Sequence, residues 1–148
     1  MKPKIEMNFD LKKLKLDLTK ELNDAGRIVR EDHFQRLERG MGVNGRMQKL
    51  KDSTIKRKGH DQILVDTGKM RNLILNKASK VKQLVTLHPG KKQKRKGGVT
   101  NADIGSFHQQ GNPSTNLPKR EWFGITKKAE KRAIKMIELK IDKILRNV

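Results

Sequence analysis

Three short segments decide how this chain folds: ILVDTGKMR at residues 63–71, IGSFHQQG at residues 104–111 and LPKREWFG at residues 117–124. The third contains Trp122 and Phe123, the bulkiest apolar side chains in a chain with only 3% aromatic residues. Side chains of this size bury large apolar areas and belong more often to a core than to a base-stacking platform. We therefore expect the third segment to enter the core.

The region before these segments has the apolar spacing of an amphipathic helix. Apolar residues recur at steps of three and four along one predicted face. We predict a long helix from Asp10 to about Arg39, with Asp10 as its N-cap and Gly40 and Gly42 at its end. The apolar positions of the face are Leu11, Leu14, Leu18, Leu22, Ala25 and Val29.

The region after the three segments has the same kind of spacing. Residues 126–147 alternate apolar positions with Lys, Arg and Glu at helical intervals, which predicts a second amphipathic helix. Its apolar side comprises Ala133, Ile134, Ile137, Ile141 and Ile144.

Shorter elements are expected between the two long helices. Residues 52–58 favour a short helix after a glycine-rich connection, and a second is predicted over residues 69–73. Two stretches rich in branched residues, 73–75 and 81–87, predict a β-hairpin. Residues 102–110 are expected to form a strand that enters a short helix, which Gly111 and the following turn residues end.

These elements predict an α+β fold. A small antiparallel sheet of three to four strands would pack against the long N-terminal and C-terminal amphipathic helices. A chain of 148 residues fits a single domain, here residues 1–148, and 33% hydrophobic residues allow only a modest core.

The charge of the chain predicts a negatively charged partner. Lys and Arg number 36 against 16 acidic residues, which gives a formal charge of +20. Residues 67–102 hold ten of these cations and no acid. Within them we expect a mobile basic loop at about residues 89–101, whose contacts with phosphate would be independent of base sequence and sensitive to salt. The candidate contacts to DNA or an acidic partner are Lys91, Lys92, Lys94, Arg95 and Lys96.

The order of the three segments resembles the phage virion morphogenesis family. Its members carry an L-x-D/R-T-G-x-L/M-R-like segment, then an I-H-x-x-G-like segment, then a P-x-R-x-F/W-like segment. They also begin and end with helices. The matching positions are Asp66, Thr67, Gly68, Arg71, His108, Gly111, Pro118, Arg120, Trp122 and Phe123. Met47 departs from the family, since many members carry Trp there.

This resemblance implies a structural role at the head–tail junction, or neck, of a tailed bacteriophage. Such proteins complete the tail and help to join it to the DNA-filled head, as a ring of six copies by resemblance. The implied neighbours are head-completion or connector proteins and tail-tube or tail-terminator proteins, with nonspecific contact to phage DNA. The protein would be made in the host cytoplasm and end in the virion, and no catalysis or cofactor is implied.

Other chemistries have weaker support from the residues. The Asp66-Thr67-Gly68 triplet also occurs in aspartic proteases, but these need a β-rich fold and a second aspartate, so turn formation or capping is the favoured role. The four histidines are dispersed and the chain has no Cys, so no metal site is predicted. His108 is expected to orient a turn by hydrogen bonding. No stretch approaches the roughly 20 apolar residues of a membrane span.

A sequence-nonspecific nucleic-acid-binding protein is the rival hypothesis. Charge and the basic loop support it. The chain nevertheless lacks the aromatic RNA-binding motifs, zinc fingers and helix-turn-helix spacing by which base readout is recognised.

Overall fold

The computed structural model describes residues 4–8, 16–66, 68, 71–89 and 98–146. Helices flank and interrupt a small antiparallel sheet, so the predicted α+β class is confirmed. The strands are β1 (Ile5–Asn8), β2 (Leu73–Asn76) and β3 (Leu84–Pro89); the helices are α1 (Thr19–Glu38), α2 (Asp52–Lys58), α3 (Asn101–Gln110) and α4 (Lys127–Leu145).

The strands run in the order β1-β3-β2, with β3 in the centre. The pairing of β2 with β3 confirms the predicted hairpin, with Leu75 opposite Leu87. The predicted start of the second hairpin strand at Val81 is wrong, since Val81 is 97% exposed and β3 begins at Leu84. The cause is a turn in which the Ser79 amide donates to the Lys82 carbonyl over 2.9 Å.

Strand β1 was not foreseen from the sequence. It lies antiparallel to β3, with Glu6 opposite Thr86. Strand β1 has only four residues, two of them apolar, so the alternation of apolar and polar positions is too brief to identify a strand.

Helix α1 begins at Thr19, well after the predicted start. Asp10, Leu11 and Leu14 lie outside the described residues, but Leu16, Asp17 and Leu18 are not helical, so the early start is wrong. The Gln83 side chain explains this. Its amide group donates to the Leu16 carbonyl over 3.0 Å, and its carbonyl oxygen accepts from the Leu18 amide over 3.1 Å. In a longer helix the Leu16 carbonyl and the Leu18 amide would bond to other residues of the helix. Here the Gln83 side chain satisfies both groups.

Helices α1 and α4 pack together over the sheet. The predicted face of α1 is buried at Leu18, Leu22, Ala25 and Val29. Helix α4 buries Ala129, Ala133 and Ile137, which confirms the C-terminal helix and two positions of its predicted face, while Ile141 and Ile144 are half-buried. Ile134 was also predicted to lie on that face, but it is 43% exposed because it follows Ala133 around the helix.

A small polar network joins the start of α4 to α1. The Thr126 hydroxyl caps α4 by accepting from the Ala129 amide over 3.1 Å, and it donates to the Asp32 carboxylate over 3.1 Å. That carboxylate also accepts from Arg36 Nε over 2.9 Å, and Arg36 Nη2 donates to the Gly124 carbonyl over 3.2 Å. The network fixes the end of the third motif segment between the two long helices.

Helix α3 occupies the stretch in which a strand entering a helix was predicted. The strand is absent, because Thr100 and Asp103 form a capping box that starts the helix at Asn101. The predicted end at Gly111 is confirmed, and the predicted short helix α2 is also present.

The predicted helix over residues 69–73 is wrong where it can be examined. Lys69 and Met70 lie outside the described residues, while Arg71 and Asn72 are not helical and Leu73 already pairs with Pro89 in the sheet. Branched apolar residues beside a partner strand favour the extended form over a short helix.

Candidate interaction surface

The second and third motif segments are joined into one unit by hydrogen bonds. The Gln109 side-chain amide pairs with both backbone groups of Phe123, donating to the carbonyl over 3.1 Å and accepting from the amide over 3.0 Å. The Arg120 amide donates to the His108 carbonyl over 2.7 Å. This pairing fixes the extended third segment alongside helix α3.

Trp122 is the centre of that unit. Its indole is fully buried, and Nε1 donates to the Gly105 carbonyl over 2.8 Å. The ring contacts His33 from α1 and its neighbour Phe123, each with ring centroids 5.5 Å away. The predicted core role of Trp122 and Phe123 is confirmed.

Glycine is required where α3 passes over the indole. A Cβ added to Gly105 would lie 2.5 Å from Trp122 Cζ2, which is closer than packed carbon atoms approach. A glycine inside a helical stretch is a recognised signal of close packing, so the sequence held a clue to this contact.

The first motif segment supplies the other side of the same core. Ile63 and Leu64 are buried in one cluster with Trp122 and Phe123. Arg71 places its guanidinium 4.8 Å from the centre of the Phe34 ring, a cation–π distance. The three segments therefore meet around one tryptophan, although residues 63 and 122 are far apart in sequence.

The other predicted motif residues have mixed outcomes. Thr67 lies outside the described residues, and Gly68 has a positive φ of 74°. Gly111 ends α3 with a φ of 73°, and a Cβ there would lie 2.8 Å from the Lys119 nitrogen, so glycine is needed for both reasons. Pro118 is half-buried next to it.

The turn-orienting role of His108 stays a prediction. Its backbone carbonyl accepts from the Arg120 amide of the third segment, while ring Nδ1 is buried with no partner among the described residues. Burial, together with the nearby Arg120 and Lys58 charges, lowers the pKa of His108 from 6.5 to about 4. His108 is thus neutral at pH 7.

His33 was not singled out from the sequence, yet it is the most deeply buried histidine among the described residues. Neither ring nitrogen has a hydrogen-bond partner in the described chain. Burial and the Arg36 charge lower the pKa of His33, the Arg71 backbone and the Asp32 carboxylate oppose this, and together they reduce it from 6.5 to about 4. The ring therefore packs as a neutral aromatic group.

The charged side chains near this core are mostly cations. Burial lowers the pKa of Lys58, as do Arg57 and Arg120, while the Asp66 carboxylate opposes the shift. Asp66 thus lies close enough to Lys58 to balance part of its charge. Arg120 is only 5% exposed, and burial lowers the pKa of its guanidinium.

The basic loop cannot be placed on this surface. Lys91, Lys92, Lys94, Arg95 and Lys96 all lie outside the described residues. The loop was predicted to extend to about residue 101, but α3 already begins at Asn101.

Apolar side chains remain on the outer faces of two helices. Phe107 on α3 is 51% exposed, and Leu139 on α4 is 59% exposed. Ile134 and Leu145, also exposed, are separated by about three helical turns and so share one face of α4. This face of α4 is accessible to another protein.

The described ranges contain no cluster of three or more His, Cys, Asp or Glu residues suited to a metal ion. No helix within them has the length and apolar character needed to cross a bilayer.

Comparison with known proteins finds no relative of this chain. No family model, no curated protein and no solved structure matches the chain.

We predict that Gly105→Ala destabilises the fold by about 1–3 kcal/mol, because the added methyl group overpacks against the buried indole. This loss should outweigh the roughly 1 kcal/mol by which Ala favours a helix over Gly. Urea unfolding followed by the fluorescence of Trp122, the single tryptophan, measures the change. The control is Gln110→Ala on the exposed face of α3. Equal stability of Gly105→Ala and wild type would contradict the close packing.

We predict that His33 makes the fold sensitive to acid. Its folded pKa of about 4 lies below the unfolded value of 6.5, so the unfolded state binds the proton first and stability falls as pH drops from 6.5 towards 4. Between pH 7 and pH 5 the loss from this group is about 2 kcal/mol. His33→Phe should remove that part of the loss and leave the part due to His108.

Chemical denaturation at the two pH values measures this difference. The control Gln35→Ala changes an exposed residue of the same helix and should keep the full acid loss. If His33→Phe loses as much stability as wild type between pH 7 and pH 5, the proposed protonation of His33 is wrong.

Proposed function

We propose that the chain is a structural phage morphogenesis protein that completes the tail and helps to join it to the DNA-filled head. The observation that carries the proposal is the ordered set of three motif segments, which resembles the virion morphogenesis family. The packing of these segments around Trp122 supports it, because residues that hold one core together are expected to recur as a set.

The proposed protein acts as a ring of copies at the head–tail interface, six by resemblance. A ring requires two different complementary faces on each subunit. The side of α4 that exposes the apolar residues Ile134 and Leu145 is our candidate for one of these two faces. The proposal includes no catalytic step and no cofactor.

The charge of the chain supports contact with a polyanion in this setting. A protein of formal charge +20 attracts DNA or an acidic neighbouring ring. The same charge supports the second candidate, a sequence-nonspecific nucleic-acid-binding protein. The motif segments favour the first candidate, since nonspecific phosphate binding needs no ordered motifs.

Electron microscopy of particles made after deletion of the encoding gene from its phage or prophage tests the proposal. We predict DNA-filled heads beside separate or aberrantly long tails, because heads and tails assemble but do not join. Expression of wild-type protein in trans should restore joined, infectious virions. Normal infectious virions without the gene would contradict the proposal and favour the nucleic-acid-binding alternative.

A further inference from the structure

A polar cleft of about 330 Å³ opens between the glycine-rich connection after α1 and the start of the third motif segment. Its walls are held by the Val43 amide, which donates to the Glu121 carbonyl over 2.7 Å, and by an antiparallel bridge between Met41 and Arg46. The polar and charged residues that line it are Asn44, Arg46, Gln48, Lys119, Arg120 and Glu121.

Arg120 is the unusual member of this set. It is 5% exposed, and its Nε donates to the Gln48 carbonyl over 3.3 Å. Within the described chain, no carboxylate forms an ion pair with Arg120, and neither terminal nitrogen donates to a protein acceptor. These two nitrogens are not among the buried unpaired atoms, so they are accessible to an anion, which would form charge-assisted hydrogen bonds with them.

The acid in the cleft wall does not provide that counter-ion. Glu121 accepts from Lys119 Nζ over 2.5 Å and from the Asn44 side-chain amide over 2.5 Å. These two hydrogen bonds and the Lys119 charge lower the pKa of the Glu121 carboxyl. Glu121 is therefore held at the rim as a charged group with its own partners.

The potential around Arg120 is positive on its other side as well. Its charge, with that of Lys58, lowers the pKa of His108, and it also lowers the pKa of Lys58. Arg46 and Lys119 add two exposed cations at the cleft. An anion in the cleft would relieve repulsion among all of these groups.

We propose that this cleft binds a carboxylate side chain of an acidic segment of a partner protein, with Arg120 as its main contact. The planar guanidinium matches a carboxylate in a two-bonded geometry. A carboxylate on a flexible side chain can enter a recess whose main cation is 5% exposed. Phosphates of a DNA duplex lie on a broad rigid surface and cannot enter a recess as a single flexible side chain can. This site does not depend on the proposed phage function.

The test is a nuclear magnetic resonance titration of the purified full chain with the peptide acetyl-Gly-Glu-Glu-Gly-amide, at about 0.15 M salt to screen nonspecific attraction. The matched peptide with Gln in place of both Glu residues is the ligand control. We expect the Glu peptide to shift the Arg120 Nε–H resonance and to raise the pKa of His108, and the Gln peptide to do neither.

Two variants with the same change in charge locate the binding. Arg46→Ser with Lys119→Ser removes the exposed cations of the cleft, while Lys131→Ser with Lys135→Ser removes two from the outer face of α4. The cleft variant should weaken the affinity for the Glu peptide by about tenfold, since charge-assisted hydrogen bonds are lost. The α4 variant should bind as wild type does.

Arg120→Gln provides the direct check when its folded spectrum matches that of wild type, and in it the Glu peptide should no longer raise the pKa of His108. Equal weakening by the cleft and α4 variants would overturn the proposal in favour of attraction by net charge. Displacement of the peptide by a short DNA duplex, with loss of duplex binding in the cleft variant alone, would overturn it in favour of a phosphate site.

Discussion

The packing of one indole ring is the constraint on which the rest of this structure depends. Trp122 can be fully buried only because Gly105 lets helix α3 pass directly over it, and the Gly105 carbonyl satisfies the indole nitrogen at the same point. The same ring contacts His33 of α1. One side chain thus fixes the positions of α1, α3 and the third motif segment relative to one another.

The burial of side chains around Trp122 also decides which ionisable groups near it carry a charge. A chain with a formal charge of +20 has few ways to place ionisable groups inside a core. Burial keeps His33 and His108 neutral at pH 7, since it lowers the pKa of both to about 4. Arg120 cannot become neutral in this way, because guanidinium remains protonated throughout the physiological range. Arg120 therefore keeps its positive charge at the boundary between the core and the charged surface.

Sequence reasoning predicted the parts of the fold that depend on local pattern. The inner face of α1, the hairpin of β2 and β3, and helix α4 follow from periodicities that the residues carry by themselves. The errors arose where distant residues compete for the backbone. Gln83 bonds the backbone of Leu16 and Leu18, which are not helical, and no pattern near residue 16 indicates a partner at residue 83.

For the candidate site, too, sequence reasoning predicted what depends on a residue's own type and missed what depends on distant neighbours. The sequence identified Trp122 and Phe123 as core residues because their size alone favours burial. It did not identify which atom of His108 bonds to the third segment, because residue type does not reveal that the backbone carbonyl faces the Arg120 amide. The sequence also could not show that Arg120 forms no ion pair with an acid of the described ranges, since that depends on which residues lie near it in space.

A double-mutant cycle between Gly105 and Trp122 tests the central claim most directly. Trp122→Phe removes the part of the ring that an added Cβ at residue 105 would strike, so the two sites should be strongly coupled. Urea unfolding followed by circular dichroism gives the four stabilities. We predict that Gly105→Ala costs at least about 1 kcal/mol less in the Trp122→Phe background than in wild type. Additive effects of the two substitutions would contradict the claim that this contact organises the fold.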